Sequence, residues 1–407
     1  MPSRVLKNIP SRKRRQPPPA SAAVTSNNSI VLLKNGSDFF PSLLTAIDSA
    51  THDIRIETFI FRDDAIGQHI ATALKNAAGR GVSVRLVIDG MGLWGTHESF
   101  LNSFKQAGIE LAIFRPERRF FSFKKGRLRR VHRKIALIDG RIGFIGGINL
   151  IGDLTEAMSD TEPRYDYAVR IEGPLLEDVY VAVNRLWRVL QWSSLRHQLE
   201  PLYSPVNIAP AGEMDARFVV RDNLRYRRSI EDEYMSAITS AKKTILIVSP
   251  YFLPGRILRT ELREAAKRGV AVTLLLQGRA DHPLLQLATR ALYESLLDAG
   301  VIIYEYEIAM LHGKVAVIDD GWATVGSSNL DPCSLFLNRE ANIVVLSSGF
   351  ANELRESVNA EITRGGRRLQ IHDWQRRGRW ARIKSWSAYG LAQLIAGWVG
   401  FQNEWGG

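Results

Sequence analysis

Two blocks of this sequence carry the same set of reactive side chains. "VHRKIALIDGRIGFIGGINL" (131–150) and "LHGKVAVIDDGWATVGSSNL" (311–330) are identical at eight of twenty positions, and four of the eight are His, Lys, Asp and Asn. His132 and His312 can attack an electrophile or move a proton near neutral pH. Lys134 and Lys314 supply fixed positive charge, and Asn149 and Asn329 supply neutral donors. Together these types make a phosphate site. A lone H-x-K is common by chance and usually inert; a set that recurs with the spacing H-x-K-x4-D-x6-G-[G/S]-x-N is far more specific. A hairpin kept only for packing would keep the apolar residues and need not keep His, Lys and Asn.

Doubling solves a mechanistic problem. Exchange at a phosphodiester by double displacement needs a nucleophile on one side of phosphorus and an acid for the leaving alcohol on the other. Two facing histidines provide both, and two lysines with two asparagines neutralise the remaining oxygens. Such chemistry calls for no metal and no cofactor.

The same order of elements surrounds each block. "SATHDIRIETFIF" (49–61) matches "SAKKTILIVSPYF" (240–252), "RGVSVRLVIDG" (80–90) matches "RGVAVTLLLQG" (268–278), and "AGIELAIF" (107–114) matches "AGVIIYEY" (299–306). The β-rich runs predict strands. "AIGQHIATALKNAAGRG" and "ILRTELREAAKRG" have helical spacing and end in Gly. The alternation predicts an α/β fold, duplicated into two sandwich domains about a pseudo-two-fold axis with one shared active site. In each block a short buried strand, "IALI" (135–138) or "VAVI" (315–318), is followed by a turn at Asp139 or Asp319. His and Lys two apart on an extended segment share one face. The predicted division is a disordered basic arm at 1–27, a first domain at 28–205, a second at 206–365, and a basic, Trp-rich tail at 366–407.

The paired blocks resemble the HKD motifs of the phospholipase D superfamily over about residues 30–365. With "IETFIF", "YDYAVRIEGP" and "DPCSLFLNREANI" they are most similar to bacterial cardiolipin synthases of the shorter B type. The resemblance implies phosphatidyl transfer between phospholipids, from phosphatidylglycerol or a related donor, through a phosphohistidine and without a metal. By motif position it implies a catalytic set of His132, Lys134, Asp139, His312, Lys314 and Asp319. Lys134, Asn149, Lys314 and Asn329 would bind phosphate, with the two aspartates read as turn or supporting residues. The nucleophile would be His132. Asp166 and Glu340 look like the acidic residues that the superfamily sets behind its histidines, and each is expected behind the histidine of its own half.

The net charge of +12 draws the chain to polyanions, either nucleic acid or an anionic membrane face. The twelve residues that the first half inserts ahead of His132 fall in "RPERRFFSFKKGRLRR" (115–130), which carries eight basic residues and three phenylalanines. Arg118, Arg119, Phe120, Phe121, Lys124 and Lys125 suit acyl chains and headgroups; stacking on single-stranded bases is the competing use. The C-terminus favours lipid. Five of the nine tryptophans lie in the last 34 residues, among them Trp380, Trp386 and Trp398. "WSAYGLAQLIAGWVGF" is too short as a helix to span a bilayer and is suited to lie in its interface.

The expected protein is therefore an enzyme on the cytoplasmic face of the inner membrane, peripheral, with an anionic phospholipid membrane, a phospholipid donor and an alcohol or lipid acceptor as partners and no nucleic acid. A phospholipase D-like hydrolase or nuclease is the alternative enzyme, and an anionic-lipid-binding protein the non-enzymatic one. One cysteine, Cys333, excludes a disulfide framework and a Cys-based zinc site; it is expected as a small packed residue. The N-terminus lacks the apolar run of a secretory signal.

Overall fold

A computed structural model describes residues 22–116, 129–153, 162–193, 208–222, 226–279, 282–375 and 378–398. The first half contributes β1 (Thr25–Lys34), β2 (Asp53–Thr58), β3 (Ser83–Asp89), β4 (Glu110–Phe114), β5 (Ile135–Ile138), β6 (Ile142–Gly146) and β7 (Tyr167–Glu172). The second half repeats them as β8 (Met214–Arg221), β9 (Thr244–Ser249), β10 (Ala271–Gln277), β11 (Ile302–Tyr306), β12 (Val315–Ile318), β13 (Trp322–Gly326) and β14 (Glu340–Leu346), then adds β15 (Gly366–Arg368). The sheet order is β15-β11-β10-β9-β12-β13-β14-β8-β1-β7-β6-β5-β2-β3-β4. Read outward from the β8–β1 seam, the two arms have the same order. The duplication seen in the sequence is thus a two-fold in the sheet.

The β-rich runs become parallel strands because helices of matched length cross between them. α2 (Ala65–Gly79) follows β2 and starts at the Asp64 cap, whose carboxylate accepts the Gly67 N–H at 2.8 Å. α6 (Arg256–Lys267) is its counterpart after β9. Their apolar sides build two outer cores, one around Ile54, Ile70 and Leu74 and one around Ile245, Leu258 and Leu262. The inner core joins the halves: Ile135, Leu137 and Val169 pack in one cluster with Val248, Val315 and Val317. This shared apolar core fixes one half against the other, and the site lies where they meet.

Two expected boundaries move. β1 begins at Thr25, inside the segment expected to be an arm, because it pairs with both β7 and β8 and closes the seam. The segment expected as a tail from 366 opens with β15, which pairs with β11, and its Leu369 and Trp374 are buried in the second outer core. Further along, α12 (Arg379–Trp398) packs on α7 (Pro283–Arg290). Among the described residues no helix is long and apolar enough to cross a membrane. Cys333 is exposed, not packed.

Candidate active site

His132 and His312 each stand three residues ahead of a motif strand, and their backbones are stitched to the opposite half. The His132 N–H donates to Arg339 O at 2.9 Å, and the His312 N–H donates to Tyr165 O at 2.8 Å. Isolated bridges pair Val131 with Arg339 and Leu311 with Tyr165. The next residues after Arg339 and Tyr165 are Glu340 and Asp166. The stitching therefore delivers each carboxylate to the histidine of the other half: His132 Nδ1 lies 3.0 Å from Glu340 Oε2, and His312 Nδ1 lies 2.5 Å from Asp166 Oδ2. This corrects the expected pairing within each half. Distance along the chain carries no trace of a bridge between halves.

Both carboxyls are buried and both imidazoles nearly so, with 13% of the His132 side chain and 12% of that of His312 exposed. A carboxylate at Nδ1 fixes the proton there and leaves Nε2 with its electron pair. Burial would raise Glu340, but the charges of His132 and Lys134 and the hydrogen bonds from His132 and Ser327 hold it below the ordinary carboxyl value. Burial lifts Asp166 to about 6 against the opposing charge of Lys314. Burial lowers His132 while Glu340 pulls the other way. Burial, then the charges of Lys314, Arg164 and Lys134, hold His312 well below the usual imidazole range.

Lys134 Nζ donates to His132 O at 2.7 Å, and Lys314 Nζ donates to His312 O. Each lysine is thus folded back onto its own histidine, and both are buried. Burial pushes Lys134 down to about 7 and Lys314 to about 8, and each feels the carboxylates of both halves. Two ammonium groups that give up their protons this readily would be held charged by a bound anion. Asn149 is buried and its Oδ1 accepts the Ile60 N–H at 3.2 Å, which turns its amide nitrogen toward other partners. Asn329 is buried with Oδ1 lacking any hydrogen-bond partner.

Asp139 and Asp319 belong elsewhere. Each sits beyond the far end of its motif strand, five residues or about 16 Å of extended chain past the lysine. Asp139 accepts the backbone N–H groups of Thr51, His52 and Asp53 at 2.8–2.9 Å, and Asp319 those of Lys242, Lys243 and Thr244 at 2.7–2.9 Å. Both have positive φ, 52° and 48°, which Asp tolerates better than most residues. They anchor the hairpin to the preceding element.

Three supporting groups escaped the sequence reading. Ser327 Oγ donates to Glu340 at 2.5 Å. The equivalent position on the first half is Gly147, where a Cβ would stand 2.1 Å from Asp166 Oδ1; the G-[G/S] step in the motif was the available signal. The Phe59 ring packs 5.1 Å from the His132 ring, and Lys134 Nζ lies 5.5 Å from its centroid. Asp89 is buried at the end of β3 and accepts the Val131 N–H at 2.9 Å, with Arg130 Nη1 at 3.3 Å.

Arg118, Arg119, Phe120, Phe121, Lys124 and Lys125 lie outside the described residues. Trp380 and Trp386 project from α12 with 77% and 53% of their surface exposed. Trp398 ends that helix, and its side chain lies outside the description. Among the described residues no group of three or more His, Cys, Asp or Glu side chains could hold a metal ion.

Comparison with known proteins shows the family. The family model described as "Cardiolipin synthase, PLD-like domain" matches residues 43–182 and 234–362, one segment in each half. The chain is 39% identical to cardiolipin synthase B of Salmonella typhimurium over 90% of its own length and 89% of that protein. It is 37% identical to cardiolipin synthase B of Escherichia coli K12 over the same shares. Its fold is similar to that of phosphatidylserine synthase from Haemophilus influenzae, with a TM-score of 0.67 at 14% identity over 90% of this chain and 94% of the other.

Proposed function

The chain belongs to the cardiolipin synthase family of phospholipase D-like phosphatidyltransferases, and from that premise we propose that it passes a phosphatidyl group from one phospholipid to the alcohol of another through a phosphohistidine. The observation that carries the reading is the crossed pair of carboxylate-pinned imidazoles around two buried lysines. A site with two such imidazoles can run both halves of a double displacement.

His132 is the proposed nucleophile. Its Nδ1 faces a carboxylate held ionised, which enriches Nε2. Nε2 forms the bond to phosphorus as the bond from phosphorus to the headgroup oxygen breaks. His312, protonated once the phosphodiester anion is bound, gives its proton to the leaving alcohol; its lowered pKa makes it a ready donor. The acceptor alcohol then loses its proton to His312 and attacks the phosphatidyl-histidine, which releases neutral His132. Lys134, Lys314, Asn149 and Asn329 hold the non-bridging oxygens through both steps.

The substrate is part of a bilayer, so the enzyme must meet one. α12 buries Ser385 and Ala388 against the second half and exposes Trp380, Ile383, Trp386, Leu391 and Leu394. Exposed tryptophans next to Arg382 and Lys384 suit the headgroup layer of an anionic membrane. The protein would then bind peripherally.

The test is direct. Purified protein is incubated with vesicles of labelled phosphatidylglycerol and the products are resolved. A lipid with two phosphates plus free glycerol is expected. Phosphatidic acid alone would make the protein a hydrolase, and turnover of single-stranded nucleic acid with none of lipid would make it a nuclease.

A further inference from the structure

The turn after β3 exposes two large apolar side chains at the catalytic end of the first half. Trp94 is 68% exposed and Met91 44%. The segment is not a loose loop. At Gly92 a Cβ would stand 1.6 Å from Phe59 O, and at Gly90 one would stand 2.4 Å from Arg115 O, so only glycine lets the turn lie this close to its neighbours. Asp89 accepts the Met91 N–H at 2.9 Å, Thr96 N–H donates to Leu93 O at 2.9 Å, and Arg62 Nη1 donates to Trp94 O. A rigid turn that keeps this much of Trp94 and Met91 exposed marks a contact surface.

The supports of this turn are also supports of the site. Phe59, against which Gly92 lies, packs on His132 and Lys134. Asp89, which holds Met91, also holds Val131, the residue before His132. On the second half the segment after β10 occupies the matching place in the fold. There Leu284 is 42% exposed on α7, against which α12 packs. Tyr389 of α12 receives a hydrogen bond from Arg259, in the first turn of α6 and so at the catalytic end of β9. The exposed stripe of α12 therefore reaches the same end of the molecule as Trp94.

We propose that the Met91–Trp94 turn is a second bilayer contact, which inserts into the headgroup layer on the first half while α12 does so on the second, so that the active site straddles the two. The occupant is a phospholipid surface, because the site between the two contacts must receive a lipid phosphate, and because Arg62 and Arg115 flank the turn with the charge that anionic headgroups attract. This rests on the phosphatidyl-transfer reading.

The experiment places an environment-sensitive fluorophore on Trp94→Cys in a Cys333→Ser background, since Cys333 is exposed. Vesicles of phosphatidylglycerol and phosphatidylcholine are added, and sedimentation is measured in parallel. The expected result is a blue shift at position 94 and quenching by lipids brominated near the headgroup. Sedimentation with no spectral change at 94 would overturn the proposal and leave the α12 contact standing. Failure to sediment at all would overturn the membrane reading and this inference together. As a second readout, Trp94→Gln in the otherwise native chain should lower the ratio of turnover on vesicles to turnover on a water-soluble short-chain phosphodiester about tenfold, near 1.4 kcal/mol. An unchanged ratio would refute the contact even if the labelled variant misfolds.

Discussion

His132 takes its carboxylate from Glu340, 208 residues away in the other half, with Nδ1 and Oε2 3.0 Å apart. His312 takes its own from Asp166, 146 residues back. Neither half alone can orient its histidine. The paired arrangement exists only when the two halves are docked.

This pairing predicts which change is felt where. Glu340→Gln should shift the ring nitrogen resonances of His132 and leave those of His312 nearly in place; Asp166→Asn should do the reverse. Each should cost about 10- to 100-fold in turnover, the usual price of removing a group that orients a catalytic ligand. Nitrogen-edited NMR of the two variants reads this. Shifts confined to the histidine of the mutated half would contradict the crossed arrangement.

Burial of the two lysines predicts a pH dependence. In the free enzyme Lys134 and Lys314 lose their protons near 7 and 8. On the proposed reading the charged forms hold the phosphodiester, and its binding would raise their pKa. Donor affinity is therefore full below about 7 and falls as pH climbs through 7–8. KM for the donor should rise over that window while kcat changes less, because bound anion keeps both lysines charged. A KM that stays flat from pH 6 to 9 would remove the lysines from donor binding.

The motif aspartates should behave as turn anchors. Asp139→Ala strips acceptors from three backbone N–H groups. It should cost about 1–3 kcal/mol of stability and lower Tm by a few degrees, with turnover per folded molecule close to that of the parent. Asp319→Ala should match it. Calorimetry with active-site titration separates the two effects. A stable, folded and inactive Asp139→Ala enzyme would return the residue to the chemistry.

Replacing Trp380 and Trp386 together with Ser should weaken sedimentation with anionic vesicles and leave thermal stability nearly unchanged, since both are exposed. Raising salt should weaken binding further by screening the basic part. If the double variant sediments as well as the parent, α12 is only a packing element. Deleting from residue 366 would be a poorer test, because it also removes β15 and the buried Leu369 and Trp374.

Much of the site was legible because duplication separates function from packing. His, Lys and Asn recur where packing alone would not keep them, and the two-residue spacing of His and Lys on extended backbone puts those two on one face. The roles of Asp139 and Asp319 were half legible: their turn position was readable, while their three-fold acceptance from the preceding element needed coordinates. The histidine partners differ from the expected ones because Asp166 and Glu340 each follow the histidine of their own half at the start of the next strand, while the bridges Val131–Arg339 and Leu311–Tyr165 run between halves. Phe59 and Asp89 were missed because an aromatic and a carboxylate at strand ends read as core and turn. α12 was legible as basic and aromatic, but not as docked on α7, since a helix that buries one side and exposes Trp on the other looks the same in either setting.

The most direct test of the whole account is to trap the covalent intermediate. Enzyme is mixed with donor labelled in its phosphate and quenched, and the adduct is mapped by mass spectrometry. The expected result is an acid-labile, base-stable phosphatidyl group on His132, absent in His132→Ala and able to accumulate in His312→Ala when the leaving group needs little protonation. An adduct on His312 would reverse the two roles and keep the double displacement. Full turnover with no adduct on either histidine, under conditions that trap a control phosphohistidine, would contradict the mechanism itself.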